Sequence, residues 1–402
     1  MKQMLVHVNG DRMGTAVLQD GRLVDFKTEP SGGGSLVGNI YKGRIVNVLP
    51  GMEAAFVDIG LAKNAFLYID DLLHPHLDKQ PERKPSIAEL ARPGDEIVVQ
   101  VVKDPLGGKG ARVTTHYNLP GRWLVYMPEA DYVGVSKKIG SDEERERLRQ
   151  IGEELRLGEE GVIMRTAAEG ESAASLREDA AALRKLWASV RARAEESKAP
   201  CLLHGEAGLL YRAIRDTLTQ DMDEVWIDDA AACEEALGLL GKMAPGLRGR
   251  VRLFEPGRGD GVSLFRAFRV QEQLDAAFAR RIPLDCGGYL VWEETEALTV
   301  VDVNTGRYTG GRSLEETVFQ ANMEAAETIS RLLRLRDVGG IVIIDFIDME
   351  LEEHKSKVMG RMLEEARKDS TKCTIVGWTR LGLMELTRKK ARGMWAKDFG
   401  LK

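Results

Sequence analysis

The chain has 402 residues, 43% of them hydrophobic and 30% charged, a balance that predicts a soluble globular protein and a length too great for one hydrophobic core. No apolar run approaches the roughly 20 residues of a membrane helix, and MKQMLVHVNGDR lacks the apolar centre of a signal peptide, which predicts a cytoplasmic location and no membrane span. With 57 Lys and Arg against 63 Asp and Glu the net charge is -6, which excludes broad attraction to a polyanion. Cys201, Cys233, Cys286 and Cys373 are too scattered for a disulfide framework or a C-x-x-C zinc pair.

Residues 1–35 open with two short alternating strands, around 4–8 and 15–20, and end in the turn-rich SGGGS; so small a piece needs a partner sheet from elsewhere. Residues 36–118 change texture. The runs NIYKGRIVNVLPGMEAAFVDIGLAKNAFLYIDDLL and EIVVQVVKD give short strands punctuated by Gly and Pro, at the spacing of a small closed barrel. The polar insert HPHLDKQPERKPSIAEL reads as a mobile loop. In residues 119–214, PGRWLVYMPEADYVGVSKKI gives two strands around a turn. A charged helix, SDEERERLRQIGEEL, follows, then the strand GVIMRTAAEG and a long helix, SAASLREDAAALRKLWASVRARAEES, rich in helix formers. Residues 215–280 run as a helix, a strand at EVWIDD, a second helix, a strand at RVRLFE and a helix around FRVQEQLDAAFARR, a texture able to complete the amino-terminal sheet.

The last region, 281–402, holds the densest chemistry. Alternation in LTVVDVNTGR sets Leu298, Val300, Asp302 and Asn304 on one face, so an apolar strand ends on a carboxylate and an amide. In GGIVIIDFIDM, residues 341–344 read as a buried strand with Asp345 at its carboxyl end. Between them Ser313 and Glu316 form a capping-box pattern ahead of a helix with the stripe Val318, Ala321, Ala325, Ile329 and Leu332. A strand, helix, strand order predicts parallel neighbours with both carboxylates at one sheet edge. Facing carboxylates repel, so such a site holds a cation or a shared proton, and oxygen ligands suit a hard ion such as magnesium. Taken singly, Asp345 or Asp348 serves equally as a cap for LEEHKSKVMGRMLEEARK, and Asn304 as a turn residue. In the tail, Arg380, Arg388, Lys389, Lys390, Arg392 and Lys397 form either a basic patch or an ordinary solvated face.

The runs EALTVVDVNTGR, LEETVFQANMEAAETISRLLRLRDVGGIVIIDFIDM and TRLGLMELTRKK resemble the catalytic region of the bacterial ribonuclease E and ribonuclease G family. That resemblance implies an α/β multidomain fold. An RNase H-like domain built from 1–35 and 215–280 would carry an inserted OB-fold RNA-binding barrel at 36–118 and a 5′-sensor region at 119–214. A DNase I-like catalytic domain would follow at 281–402. It implies that Asp302 and Asp345 bind magnesium, or manganese in its place, that Asn304 supports one of them, and that Arg380 contacts RNA. On the barrel, Phe56 and Phe66 match aromatic positions and Lys109 a basic one; a single Phe in a strand is more often core, so the barrel context carries that assignment. The barrel region holds ten basic and ten acidic residues, which favours stacking with local phosphate contacts. Arg165 and Thr166 match the pair that grips a 5′-terminal monophosphate, Gly121 and Val125 offer backbone groups to it, and Lys137 is a nearby basic position.

The implied activity is a magnesium-dependent endoribonuclease of single-stranded RNA, mRNA or rRNA precursors, leaving a 5′-phosphate and a 3′-hydroxyl and preferring 5′-monophosphorylated ends. A rival of another class is an RNA-binding or ribosome-assembly factor that does not cut. The family's C-P-x-C zinc link and small domain have no counterpart before Lys402, so zinc is not expected in this chain, and a homo-oligomer would form without that link.

Overall fold

The chain begins as a meander of three antiparallel strands, Lys2–Asn9, Arg12–Gln19 and Arg22–Pro30, where the sequence reading expected two. The missed signal is Asp20-Gly21. Both residues take positive φ, 50° and 78°, and join Gln19 to its partner Arg22 as a two-residue hairpin of the kind Asp-Gly favours. The computed structural model describes residues 1–30, 34–74, 83–105, 108–255, 262–306 and 313–389. These fall into two compact units, one of Met1–Gly32 with Gln220–Lys402, the other of Gly33–Thr219.

In the second unit, Ile40–Leu49, Ala54–Asp58, Ala65–Tyr68, Arg112–Thr114 and Glu96–Lys103 pair in that order, and the first strand pairs again with the last, closing a five-stranded OB-like barrel. Cys201–His204 adds to its outside along Ile40–Leu49. Alternation fills the interior with Ala55, Val57, Ala65, Leu67, Val99 and Val113, all buried. Of the insert, Ile87–Leu90 is a short helix with Ser86 and Glu89 as a capping box, while 75–82 lie outside the described residues. A four-stranded sheet follows, in the order Val133–Val135, Gly161–Met164, Leu124–Met127, Leu119–Pro120. Two helices cover it. Asp142–Leu155 is capped by Ser141 and opens with three acids that complement its amino-terminal dipole. Ala173–Glu196 buries Leu176, Ala180, Leu183, Trp187 and Val190, one stripe at helical spacing. The helix placed by sequence in 215–280 forms earlier, at Leu209–Asp216, within this unit.

In the other unit, Glu224–Ile227 runs parallel beside Lys2–Asn9, with Leu5 opposite Trp226, and Val251–Leu253 pairs outside it; the meander thus becomes a five-stranded sheet. A second, six-stranded sheet has the order Arg281–Pro283, Tyr289–Glu294, Leu298–Asn304, Gly340–Asp345, Met384–Arg388, Cys373–Trp378. The helices Leu314–Leu335 and Glu352–Lys368 pack their apolar faces on it, and one core runs from Leu5, Ala16 and Leu23 through Ala325, Ile329 and Leu332 to Val301 and Ile344. Gly340–Asp345, read from sequence as buried throughout, alternates instead. Val342 and Ile344 are fully buried and Ile341 is half exposed, because the helices cover one face of the sheet.

Arg388 departs from its expected place in a basic patch. Its side chain is 3% exposed and is held by Asp369 at 2.7 Å, Asp337 at 2.9 Å and the Val338 carbonyl at 2.7 Å. Lys389 is exposed, and Lys390, Arg392 and Lys397 lie outside the described residues. Removing one partner of a buried ion pair strands the other charge, so Arg388→Ala should cost about 3 to 5 kcal/mol, read as a lowered urea midpoint. An unchanged midpoint would show that the pair contributes nothing.

Candidate active site

Strand Leu298–Asn304 buries Thr299, Val301 and Val303 and leaves Asp302 and Asn304 half buried on the opposite face. Gly340–Asp345 lies parallel beside it, and the register sets Asp302 directly opposite Asp345. The crossover helix has Ser313 as its cap, accepting from the Glu316 amide at 3.1 Å, and its expected apolar stripe is buried. Asn304 donates through Nδ2 to Asp302 Oδ2 at 2.7 Å, which fixes the carboxylate rotamer while Oδ1 takes no hydrogen bond among the described residues. Partial desolvation, followed by the negative charges of Asp302 and Asp348, pushes the Asp345 carboxyl above its ordinary value.

The competing use of these aspartates as caps is removed by geometry. Helix Glu352–Lys368 starts after Leu351 with no side-chain cap, and the Glu350 and Leu351 amides are taken by Glu315 at 3.0 and 3.2 Å. Glu315 also meets His354 Nδ1 at 2.7 Å. Asn322, fully buried, donates to the Ile347 carbonyl at 2.8 Å and accepts from the Ile347 amide at 3.1 Å, standing in for a strand partner two residues past Asp345. On the other side Glu324 accepts from the amides of Asp285 and, at 3.0 Å, Cys286. One helix therefore anchors the loops on both flanks of the carboxylate pair. The sequence reading missed Asn322, although a polar residue four places after Val318, inside the buried stripe, was a visible signal.

Among the described residues no group of three or more His, Cys, Asp or Glu converges into a metal cluster. The donor set is two opposed carboxylates steadied by an amide, all oxygen and net negative, which fits a hard divalent cation. Arg380 is exposed on the turn between Cys373–Trp378 and Met384–Arg388; since Met384 pairs with Ile344, that turn stands at the same sheet edge as Asp345.

In the other unit, Phe56 and Phe66 are cross-strand partners on the outer face of the barrel, half buried, their rings edge to face at 6.0 Å. The interior is filled by their neighbours Ala55, Val57, Ala65 and Leu67, so these rings are outside the core. Phe66 lies opposite Arg112, whose guanidinium is bonded to Asp71 at 2.9 Å. Lys109 is exposed next to Gly110, where a Cβ would stand 1.9 Å from the Asn64 carbonyl oxygen; only glycine lets the two backbones approach so closely.

Arg165 directly follows strand Gly161–Met164, which is interior in its sheet. Its guanidinium donates to the Gly121 carbonyl at 2.5 Å and pairs with Asp216 at 2.7 Å. Burial works to raise the Asp216 carboxyl, but its bonds to Arg215 and Arg165 hold it below the ordinary value. Thr166 is exposed and its hydroxyl meets that of Ser136 at 2.8 Å, with Lys137, also exposed, next in sequence. The Gly121 amide is spent on the Leu124 carbonyl at 2.8 Å, and a Cβ there would strike the Asp179 carboxylate. Val125 is a half-buried strand residue opposite Ile163. The five sequence-assigned positions thus share one sheet end, with Arg165 already gripped by a carboxylate.

Known proteins resemble this chain over most of its length. The family model "Ribonuclease E/G family" matches residues 118–391. Ribonuclease G of Escherichia coli (strain K12) is 42% identical over 396 residues, 97% of this chain and 80% of that protein. Ribonuclease G of Haemophilus influenzae is 42% identical over 397 residues, with the same shares covered. Ribonuclease E of E. coli (strain K12) is 37% identical over 398 residues, 97% of this chain and 37% of that protein.

The Asn322 clamp has a measurable consequence. Asn322→Ala leaves the amide and carbonyl of Ile347 unpaired, at about 1 to 3 kcal/mol for each group that stays buried. Equilibrium urea unfolding should show that loss; stability equal to the parent would mean water replaces the side chain without penalty.

Proposed function

The chain belongs to the ribonuclease E/G family, and from that premise we propose that it is a divalent-metal-dependent endoribonuclease of single-stranded RNA, cutting at the Asp302–Asp345 edge. The observation that carries this reading is the register pairing of the two aspartates with Asn304 bonded to one of them. Asp302 and Asp345 would hold magnesium, or manganese in its place. When bound, such an ion supplies a more acidic water and neutralises charge on the phosphate. Asn304 keeps Asp302 in one rotamer, and Asn322 and Glu315 keep the loop after Asp345 from drifting, so the oxygens are preorganised before substrate arrives. The products are read as a 5′-phosphate and a 3′-hydroxyl.

The remaining parts are read around that edge. Phe56 and Phe66 stack bases on the barrel, Lys109 holds a phosphate beside them, and Arg380 meets the backbone near the cut. The five-stranded sheet is read as RNase H-like and the six-stranded sheet as DNase I-like, with boundaries at 35, 118, 214 and 280. The setting is cytoplasmic processing or decay of mRNA and rRNA precursors, by a homo-oligomer or a single chain.

The test is incubation with a fluorescent single-stranded oligonucleotide, in magnesium and then in chelator. Cleavage should appear only with the metal. Asp302→Asn and Asp345→Asn should each lose it by several orders of magnitude while still binding the oligonucleotide. Wild-type cleavage by either variant would sink the assignment, and binding without any cutting would favour the non-cleaving alternative.

Arg165, Thr166, Lys137, Gly121 and Val125 are read as a 5′-monophosphate sensor, the phosphate taking over donors that Asp216 and Gly121 hold in its absence. A charged hydrogen bond is worth about 1.5 to 3 kcal/mol, so 5′-monophosphorylated RNA should be cut about tenfold to a hundredfold faster than 5′-hydroxyl RNA. Arg165→Ala should erase that ratio and spare the slower reaction. Equal rates on both ends in the parent protein would refute the sensor.

A further inference from the structure

The open face of the six-stranded sheet carries a cation that the sequence reading did not single out. Register runs Arg281, Val291, Asp302, Asp345 across four adjacent strands, so Arg281 occupies the same transverse row and the same face as the carboxylate pair. One row further along, Pro283, Tyr289 and Asn304 are aligned. The Arg281 side chain leans into that second row. Its guanidinium carbon stands 3.7 Å from the centroid of the Tyr289 ring. Arg281 is exposed and has no ion pair among the described residues, whereas its neighbour Arg280 is paired with Glu293. Gly306 also comes close to the Tyr289 ring, since a Cβ there would stand 3.2 Å from it. Gly306 follows Asn304 by two residues. An unpaired, preoriented guanidinium is thus held two strands from that of Asn304, on an edge whose other landmark is a pair of anionic side chains.

We propose that Arg281, held on the Tyr289 ring, binds a backbone phosphate of the RNA next to the one being cut, on the side of Asp302 away from Arg380. The inference rests on the endoribonuclease reading above. Strands are spaced about 4.8 Å apart, so the Arg281 backbone lies about 10 Å from the Asp302 strand, and stacking on Tyr289 holds its guanidinium over the next row, placed for a neighbouring phosphate. A surface arginine with freedom to move would lose entropy on binding; stacking removes most of that loss in advance. With the Arg380 turn beyond Asp345, the row gives RNA a path across the strands with a cation at each end.

The experiment compares Arg281→Ala, Arg281→Lys, Tyr289→Phe and Tyr289→Leu with the parent chain. Oligonucleotide binding is followed by anisotropy in chelator over a range of salt, and cleavage is followed in magnesium. Arg281→Ala should raise KM about tenfold with kcat within about twofold, and should lower the salt slope of log binding constant by about 0.7, the loss of one single-strand phosphate contact. Arg281→Lys should retain the slope, Tyr289→Phe should match the parent, and Tyr289→Leu should reproduce part of the Arg281→Ala defect. An unchanged KM and slope in Arg281→Ala, or a fall in kcat alone, overturns the proposal; so does a Tyr289→Leu protein equal to the parent. If the parent binds RNA but never cuts it, while Arg281→Ala still flattens the salt slope, the nuclease reading fails and the phosphate contact stands.

Discussion

The structure turns on an unfavourable contact. Parallel pairing of Leu298–Asn304 with Gly340–Asp345 places two carboxylates side by side at a sheet edge, where partial desolvation and then the charge of Asp302 oppose ionisation of Asp345. An isolated pair of strands would not keep that arrangement. It persists because the same register buries Val301, Val303, Val342 and Ile344 against the helices, and slipping it by one residue would turn every one of those side chains to the wrong face. Apolar burial across the whole sheet overrides a local repulsion and leaves the two carboxylates together at its edge.

The crossover helix is what converts this register into a site. Its apolar stripe supplies the burial, while Glu315, Asn322 and Glu324 use the flanks of the same helix to hold loop backbones by their amides. These bonds fix the segments on either side of the carboxylates without spending the carboxylates themselves. Asn304 does the same for a side chain, holding one oxygen of Asp302 and leaving the other open. Stability and preorganisation thus come from one element.

A similar division appears in the other unit. Barrel closure requires alternation, so every second side chain of Ala54–Asp58 and Ala65–Tyr68 enters the core, and the two phenylalanines are left outside by the same rule that buries Val57 and Leu67. At Arg165 the fold supplies a counter-charge in advance. Asp216 sits on a short helix some fifty residues further along the chain, and its carboxylate keeps the guanidinium oriented.

Much of this was legible in the sequence because it depends on local spacing. Period-two alternation gave the face of Asp302 and Asn304; helical spacing gave the stripe from Val318 to Leu332; the strand, helix, strand order gave a parallel pair with both aspartates at one edge; short Gly-punctuated strands gave the barrel. What spacing does not carry is partner choice across long separations. Nothing local to TRKK distinguishes Arg388, drawn inside by Asp337 and Asp369, from a solvated basic residue. Nothing in Asn322 alone names Ile347, and nothing in Arg281 names Tyr289 or the row it shares with Asp302. Those pairings were decided by the tertiary structure, because which charge is buried and which donor meets which carbonyl depends on how strands far apart in sequence come into register.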